Sequence, residues 1–302
     1  MKPTLVYILA TSYSGSTLLT YLLANHSGVA TVGELKAPNM GDVSVYRCSC
    51  GELIRECGFW QTVTEKCRAQ GIDFSVDDFD TIVDGHDAFG KKVLRAKVRN
   101  PAFERLRDLT IALYPGLRKR LRSKLHRNFV LSNVICDTAG GSVFVDGTKD
   151  ATRLRYFIDS GLWNVKTIYL TRDGRAVTNS IKKHLNIDIE AATARWMNTT
   201  QQLEHMRERI NAEPVFDLKY ETLCESPSET LNQLWQWIGL QPEAVQEKNF
   251  KSGDFHLLGN SMRLSSVGEI RKDTSWRQKL AQDEIDHFNT HAGELNAHLG
   301  YL

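Results

Sequence analysis

Two clusters of residues stand out for the chemistry their types and spacing allow, and each is built to hold an anion. The first is Thr11-Ser12-Tyr13-Ser14-Gly15-Ser16-Thr17, which leads from an apolar run into a leucine-rich helical pattern. Gly15 lets the backbone approach an oxyanion closely, and the helix that follows offers free N–H groups and the positive end of its dipole. The second is Thr171-Arg172-Asp173-Gly174-Arg175, with Ser180 two helical turns further on. Arg172 carries a planar fork of donors suited to phosphate, and Ser180 adds a hydroxyl from the same helix face. A plainer reading of this cluster is an Arg172–Asp173 surface pair that caps a helix. Triphosphate chemistry fits poorly. A nucleoside-triphosphatase loop needs G-x-x-x-x-G-K-[ST], and this chain has Ala10 at the first glycine and Ser16 at the lysine. The cation that grips the β and γ phosphates is therefore missing, and no strand-terminal carboxylate is assigned to Mg²⁺.

The elements that position these clusters follow from periodicity. Residues 4–10 (TLVYILA) are almost continuously apolar and rich in β-formers, the pattern of a strand buried on both faces of a parallel sheet. Leu18, Leu19, Leu22 and Leu23 recur at helical spacing until His26-Ser27-Gly28 stops them. Further strands are expected at 29–32, 142–145, 165–170 and 214–218, with helices at about 153–161, 174–183, 189–210 and 228–238, the last ending on Gly239. In the third of these helices Trp196, Leu203, Met206 and Ile210 share one face and read as core. The alternation predicts an α/β fold, a P-loop-like parallel sheet flanked by helices. Residues from about 36 to 130 lack that rhythm and read as a largely helical insertion in a single domain spanning 1–302, placed as a cap over the acceptor side of the site.

On these residues the chain resembles the sulfotransferases that use 3′-phosphoadenosine 5′-phosphosulfate (PAPS), and among them the bacterial, carbohydrate and tyrosylprotein types. Their 5′-phosphosulfate loop reads [KR]-S-G-[ST]-[ST], matched here by Tyr13-Ser14-Gly15-Ser16-Thr17, with Tyr13 in place of the basic residue. The resemblance implies that Ser14, Gly15, Ser16 and Thr17 cradle the 5′-phosphosulfate. Their 3′-phosphate segment, R-D-P-R-x-x-x-x-S, is matched from Arg172 to Ser180 with Gly174 replacing proline. Their Y-E-x-L segment is matched by Tyr220-Glu221-Thr222-Leu223, which implies a tyrosine near the adenine; Tyr220 then either stacks on the base or packs in the core. Gly259-Asn260-Ser261-Met262-Arg263 and Ile270-Arg271-Lys272 are similar to the late basic loop, so that Arg271 or Lys272 completes the 3′-phosphate pocket.

Sulfuryl transfer needs a base for the acceptor's proton and a cation beside the departing phosphate, aligned on one axis. Glu34 follows the second strand, at the carboxyl end where parallel sheets place ligands, and is the expected base. The same family carries a glutamate at the matching distance after the loop. Lys149 ends Asp146-Gly147-Thr148-Lys149, which resembles the family's Asp-x-x-Lys segment, and is the expected cation. His26 and His184 are further titratable groups near these motifs.

Between Lys91 and Arg127 there are 13 Lys and Arg against only Glu104 and Asp108. This stretch is either a solvated set of helix faces, partly neutralised by the six aspartates between Asp73 and Asp87, or a peripheral contact for an anionic glycan or membrane surface. Cys48, Cys50, Cys57 and Cys67 form either a zinc site or a redox-sensitive clip, although Cys-x-Cys is not the usual finger spacing and no fourth ligand is evident. With six cysteines in 302 residues, reduced thiols are the default. The overall charge of +2 argues against a nucleic-acid binder. The apolar run of residues 5–10 is far short of the roughly 20 residues that span a bilayer, and no leader is evident, so a cytoplasmic protein is expected.

The expectation is thus a sulfotransferase with PAPS as cosubstrate and no metal in its chemistry. Its acceptor is a hydroxyl on a small molecule, glycan or glycolipid. The rival readings are a P-loop kinase and a non-catalytic adenine-nucleotide-binding module.

Overall fold

A strand that is apolar on both faces belongs in the middle of a sheet. In the computed structural model, which describes residues 2–36, 40–210, 213–244, 250, 255–259, 264 and 270–302, β1 (Thr4–Ala10) has a parallel neighbour on each side. From Leu5 to Ala10 no residue exceeds 2% exposure. The chain continues through α1 (Ser16–Ala24) and β2 (Val29–Thr31) into the insertion, which holds α2 (Gly58–Ala69), α3 (Ala88–Leu94), α4 (Pro101–Leu113) and α5 (Pro115–Ala139). It then returns to the sheet as β3 (Val143–Asp146), α6 (Ala151–Ser160), β4 (Asn164–Thr171), α7 (Gly174–Leu185), α8 (Ile189–Arg209) and β5 (Val215–Lys219). The remaining helices are α9 (Tyr220–Glu225), α10 (Pro227–Ile238), α11 (Trp276–Lys279) and α12 (Gln282–His298).

All five strands are parallel, in the order β2-β3-β1-β4-β5. The segments after Ala10, Thr31, Asp146, Thr171 and Lys219 therefore all leave from one edge of the sheet, the carboxyl edge, where parallel sheets bind ligands. The period of two along β1 sorts its side chains between two cores. Leu5, Tyr7 and Leu9 pack with Trp60, Leu131 and Phe157, while Val6, Ile8 and Ala10 pack with Leu19, Leu22 and Trp235. Because Trp60 lies on α2 and Leu131 on α5, the insertion shares the core of the sheet rather than forming one of its own.

The strands expected from the sequence are all present, and their ends differ from the expected ones by about a residue. Helix α5 outruns the expected end of the insertion and stops at Gly140, whose φ of 74° only glycine adopts easily. Helix α12 is not anticipated by the sequence pattern. It is polar on most of its surface and is held by Phe288 against Trp196 of α8, with ring centroids 5.2 Å apart. Trp196, Leu203, Met206 and Ile210 are all buried, as their spacing predicts.

The basic stretch of the insertion is partly neutralised within the fold. Arg120, Lys124 and Arg127 of α5 all pair with Asp80, and the first two also reach Asp84. No helix among the described residues is long and apolar enough to cross a membrane.

Candidate active site

The loop after β1 turns through two residues in the left-handed region, Tyr13 at φ 67° and Gly15 at φ 90°. Glycine takes this conformation freely, whereas for tyrosine it costs on the order of 1 kcal/mol and persists only where neighbours enforce it. One such neighbour is His184, whose ring stacks on Tyr13 at 5.0 Å and 6°. The site keeps Gly15 for a second reason. A Cβ there would sit 2.4 Å from the Tyr220 ring. Gly15 caps α1 without any side chain bonding the first-turn N–H groups, so the donors of residues 16 and 17 remain for a ligand.

Arg172, at the exit of β4, reaches this loop. One guanidinium nitrogen donates to the Tyr13 carbonyl at 3.0 Å, and another donates to the Asp273 carbonyl and carboxylate, both at 3.0 Å. Its central carbon lies 4.4 Å from the centre of the Tyr220 ring, which thus packs against both Arg172 and Gly15. The Tyr220 hydroxyl donates to the Arg271 carbonyl at 3.1 Å and accepts from the Asp273 N–H at 3.3 Å. Burial pushes the Tyr220 phenol up to about 12, which keeps it a neutral donor. Partial burial works to raise the Asp273 carboxyl, but hydrogen bonds from Ser275 and Arg172 outweigh it and hold the group down at about 2. The plainer sequence reading of an Arg172–Asp173 surface pair gives way here. Arg172 is buried, and Asp173 instead caps α7 and pairs with Arg175 at 2.9 Å.

Ser180 donates to the Ala176 carbonyl within its own helix. Arg271 and Lys272 lie on an exposed segment, with Lys272 paired to Glu225 at 2.6 Å. Of the late basic loop, residues 260–263 lie outside the described residues.

Glu34 and Lys149 meet. The Lys149 ammonium lies 2.5 Å from Glu34 Oε1 and 3.0 Å from the Gly147 carbonyl, and both side chains are mostly buried. Lys149 itself sits at φ 68°, a strained backbone for a residue other than glycine. Ser16, Thr17, Glu34 and Lys149 line one narrow cleft, which brings the glycine loop and the ion pair together. Next to it lies a cavity of about 510 Å³, walled by Ser12, Glu34 and Lys149 on the sheet side and by Val83, Leu94 and Lys97 from the insertion.

The residue that holds this geometry is Asp146, which the sequence reading placed in a motif without giving it a role. It is fully buried at the end of β3. Its carboxylate accepts from the backbone N–H of Leu35 at 3.3 Å and of Thr148 at 3.0 Å, fixing the residues beside Glu34 and Lys149 alike. Arg153 Nε donates to it at 3.2 Å, and the rest of that guanidinium donates to the Thr81 carbonyl and to Asn128 Oδ1 of the insertion. A lone aspartate closing the apolar run Val143-Phe144-Val145 is the one signal that marks it in the sequence. Asp146→Ala leaves Arg153 charged, buried and unpaired, and should cost about 3–5 kcal/mol. Equilibrium denaturation in urea measures this; a loss below about 1 kcal/mol would show that the Asp146–Arg153 pair does not brace the site.

Fold and family segment point to one class, the sulfotransferases, which the chain resembles over part of its length. Residues 132–244 match the sulfotransferase family, the family its motifs resemble, over a segment that includes β3, Lys149, Arg172, Ser180 and Tyr220. Among solved structures, the sulfotransferase domain from the curacin biosynthetic pathway aligns with 99% of this chain and 98% of its own at a TM-score of 0.51 and 17% identity. The sulfotransferase domain of the Synechococcus PCC 7002 olefin synthase covers 96% and 95% at a TM-score of 0.48 and 18% identity. The first of these supports the fold. No curated protein matches the chain in sequence.

Proposed function

We propose that the protein transfers a sulfuryl group from PAPS to a hydroxyl of a small molecule, glycan or glycolipid. The observation that carries this reading is the shared cleft, in which the uncapped start of α1 and the Glu34–Lys149 pair face one another. Residues 14–17 would hold the 5′-phosphosulfate by backbone N–H groups and the Ser16 and Thr17 hydroxyls. Arg172, with Ser180 and either Arg271 or Lys272, would hold the 3′-phosphate. The Asp273 carboxylate, an anion now on Arg172, is the group that phosphate would displace. Tyr220 would stay packed against Gly15 as a brace.

In the reaction the acceptor oxygen forms a bond to sulfur and passes its proton to Glu34. The bond from sulfur to the 5′-phosphate oxygen breaks, and its electron pair leaves with that oxygen beside the Lys149 ammonium, giving adenosine 3′,5′-bisphosphate. These steps use only charges and hydrogen bonds of the chain and call for no metal. The large cavity suits the acceptor. Arg95, Lys97 and Arg195 reach it with no carboxylate in ion-pair range among the described residues, which favours an acceptor bearing a negative group of its own. The basic residues of 91–127 that are not paired within the insertion would extend that attraction to a membrane surface or glycan. A cytoplasmic location accords with the reading.

Titration calorimetry tests the donor site. Adenosine 3′,5′-bisphosphate should bind at least about tenfold more tightly than adenosine 5′-monophosphate, a difference of roughly 1.4 kcal/mol. Equal affinities would overturn the PAPS assignment, and preference for ATP with Mg²⁺ would favour a kinase. Binding of the bisphosphate without turnover of labelled PAPS on phenols, sugars or lipids would leave a nucleotide-binding module.

A further inference from the structure

We infer that Cys48, Cys50, Cys57 and His256 form a structural zinc site that fastens the insertion to the segment beside Glu34. The four ligand atoms all lie within 4.8 Å of one another, in a chain where the histidine is 199 residues from the nearest of the three cysteines. A tetrahedral ion with Zn–S of about 2.3 Å and Zn–N of about 2.0 Å sets S···S edges near 3.7 Å and S···N edges near 3.5 Å. Three of the six edges are 3.7 Å for Cys50 to Cys57, 3.6 Å for Cys48 to His256 Nδ1, and 3.3 Å for Cys57 to His256 Nδ1, and all lie within 4.8 Å. Three sulfurs and one imidazole nitrogen make a closed set, the kind that zinc fills without an open position for substrate.

The surroundings fit the role of ligand shell. Cys48-Ser49-Cys50-Gly51 is a tight turn closed by Gly51 N–H to the Cys48 carbonyl at 3.0 Å, with Gly51 at φ 94°. Backbone N–H groups reach the sulfurs, from Cys50 to Cys48 and from Phe59 and Trp60, in the first turn of α2, to Cys57. Such donors steady thiolates. The imidazole is held flat against Phe59 at 4.3 Å and 5°, which presents Nδ1 to the cluster. Ser49 Oγ donates to the Phe255 carbonyl and accepts from the Leu257 N–H at 2.7 Å, so the backbone on both sides of His256 is tied to the same turn. Cys67, in the last turn of α2, is not part of the set; the fourth ligand is His256, far along the chain.

The consequence for the site is direct. Two residues after His256, Leu258 N–H donates to the Val32 carbonyl at 2.8 Å, and Gly259 is so close to Glu34 that a Cβ there would lie 3.3 Å from its side chain. The metal would thus hold the wall against which Glu34 rests, without touching any reacting atom.

Metal analysis of the full chain, expressed with zinc and purified under reducing conditions, should find one zinc per chain. Cobalt(II) exchanged into the protein should give the intense visible and thiolate charge-transfer bands of a tetrahedral sulfur-rich site. Cys50→Ser, at the exposed ligand, and His256→Ala should each lose stoichiometric metal and lower Tm, while Cys67→Ser should keep one zinc. If Cys50→Ser or His256→Ala fails to fold, release of zinc from the unmodified protein on thiol alkylation reads the cysteine ligands. A chain that takes up no zinc or cobalt on reconstitution overturns the inference. So does a Cys67→Ser protein that loses its metal, or a native mass two hydrogens short that shows a disulfide among these cysteines. Donor binding by calorimetry is read separately, so a failed donor assignment leaves the metal result standing.

Discussion

Glu34→Gln should lower turnover about 10²- to 10⁴-fold, the usual contribution of a positioned general base, while leaving affinity for adenosine 3′,5′-bisphosphate unchanged. Glutamine matches the shape of glutamate and still accepts a hydrogen bond from Lys149, so the cleft keeps its form and only the proton acceptor is gone. The split between rate and affinity is the diagnostic part. A structural role for Glu34 would disturb the loop that runs into Leu35, and through the Asp146 carboxylate the Thr148 backbone, moving binding and rate together. A Glu34→Gln enzyme with the parent kcat would remove Glu34 from the proton transfer and return the choice of base to the acceptor pocket.

Lys149→Ala should cost at least about 10² in kcat, the scale observed when one preorganised stabiliser of transition-state charge is removed. The loop offers no substitute, because Tyr13 stands where the related motif carries a basic residue and its ring is stacked on His184. Alanine leaves the backbone strain at φ 68° in place, so Lys149→Gly is the matched control. Glycine accepts that conformation and should give a folded, equally inactive protein. If both variants turn over at the parent rate, Lys149 has no part in the reaction, and charge on the departing phosphate is met by Arg172 or by the start of α1 alone.

The parts of this site legible in the sequence are those whose chemistry is local. The candidate loop 14–17 consists of one glycine and the start of a helix, so seven consecutive residues announce it. Glu34 and Lys149 were legible because each follows a strand of a parallel sheet, and such a sheet sends every strand's carboxyl end to the same edge. Their direct contact at 2.5 Å was not, since no sequence rule sets the reach of one loop to another 115 residues away. Arg172 shows the same division. Its type and place were readable, but its bonds to the Tyr13 and Asp273 carbonyls depend on three segments converging. For Tyr220 the sequence allows either adenine stacking or core packing; the fold packs its ring against Gly15, a decision made by the packing of α9 against the loop.

What the sequence determined by itself is the parallel sheet, through the period-two sorting of β1 and the alternation of strand and helix, together with the residues at its carboxyl edge. Only the tertiary structure decided how the insertion joins it. The buried Asp146–Arg153 pair, through its bonds to Leu35 and Thr81, and the meeting of Cys48, Cys50 and Cys57 with His256 both link residues far apart in the chain. The reason is that hydrophobic periodicity and turn chemistry act over a few residues, whereas buried charges and metal ligands are chosen by what the finished packing places within about 4 Å of them.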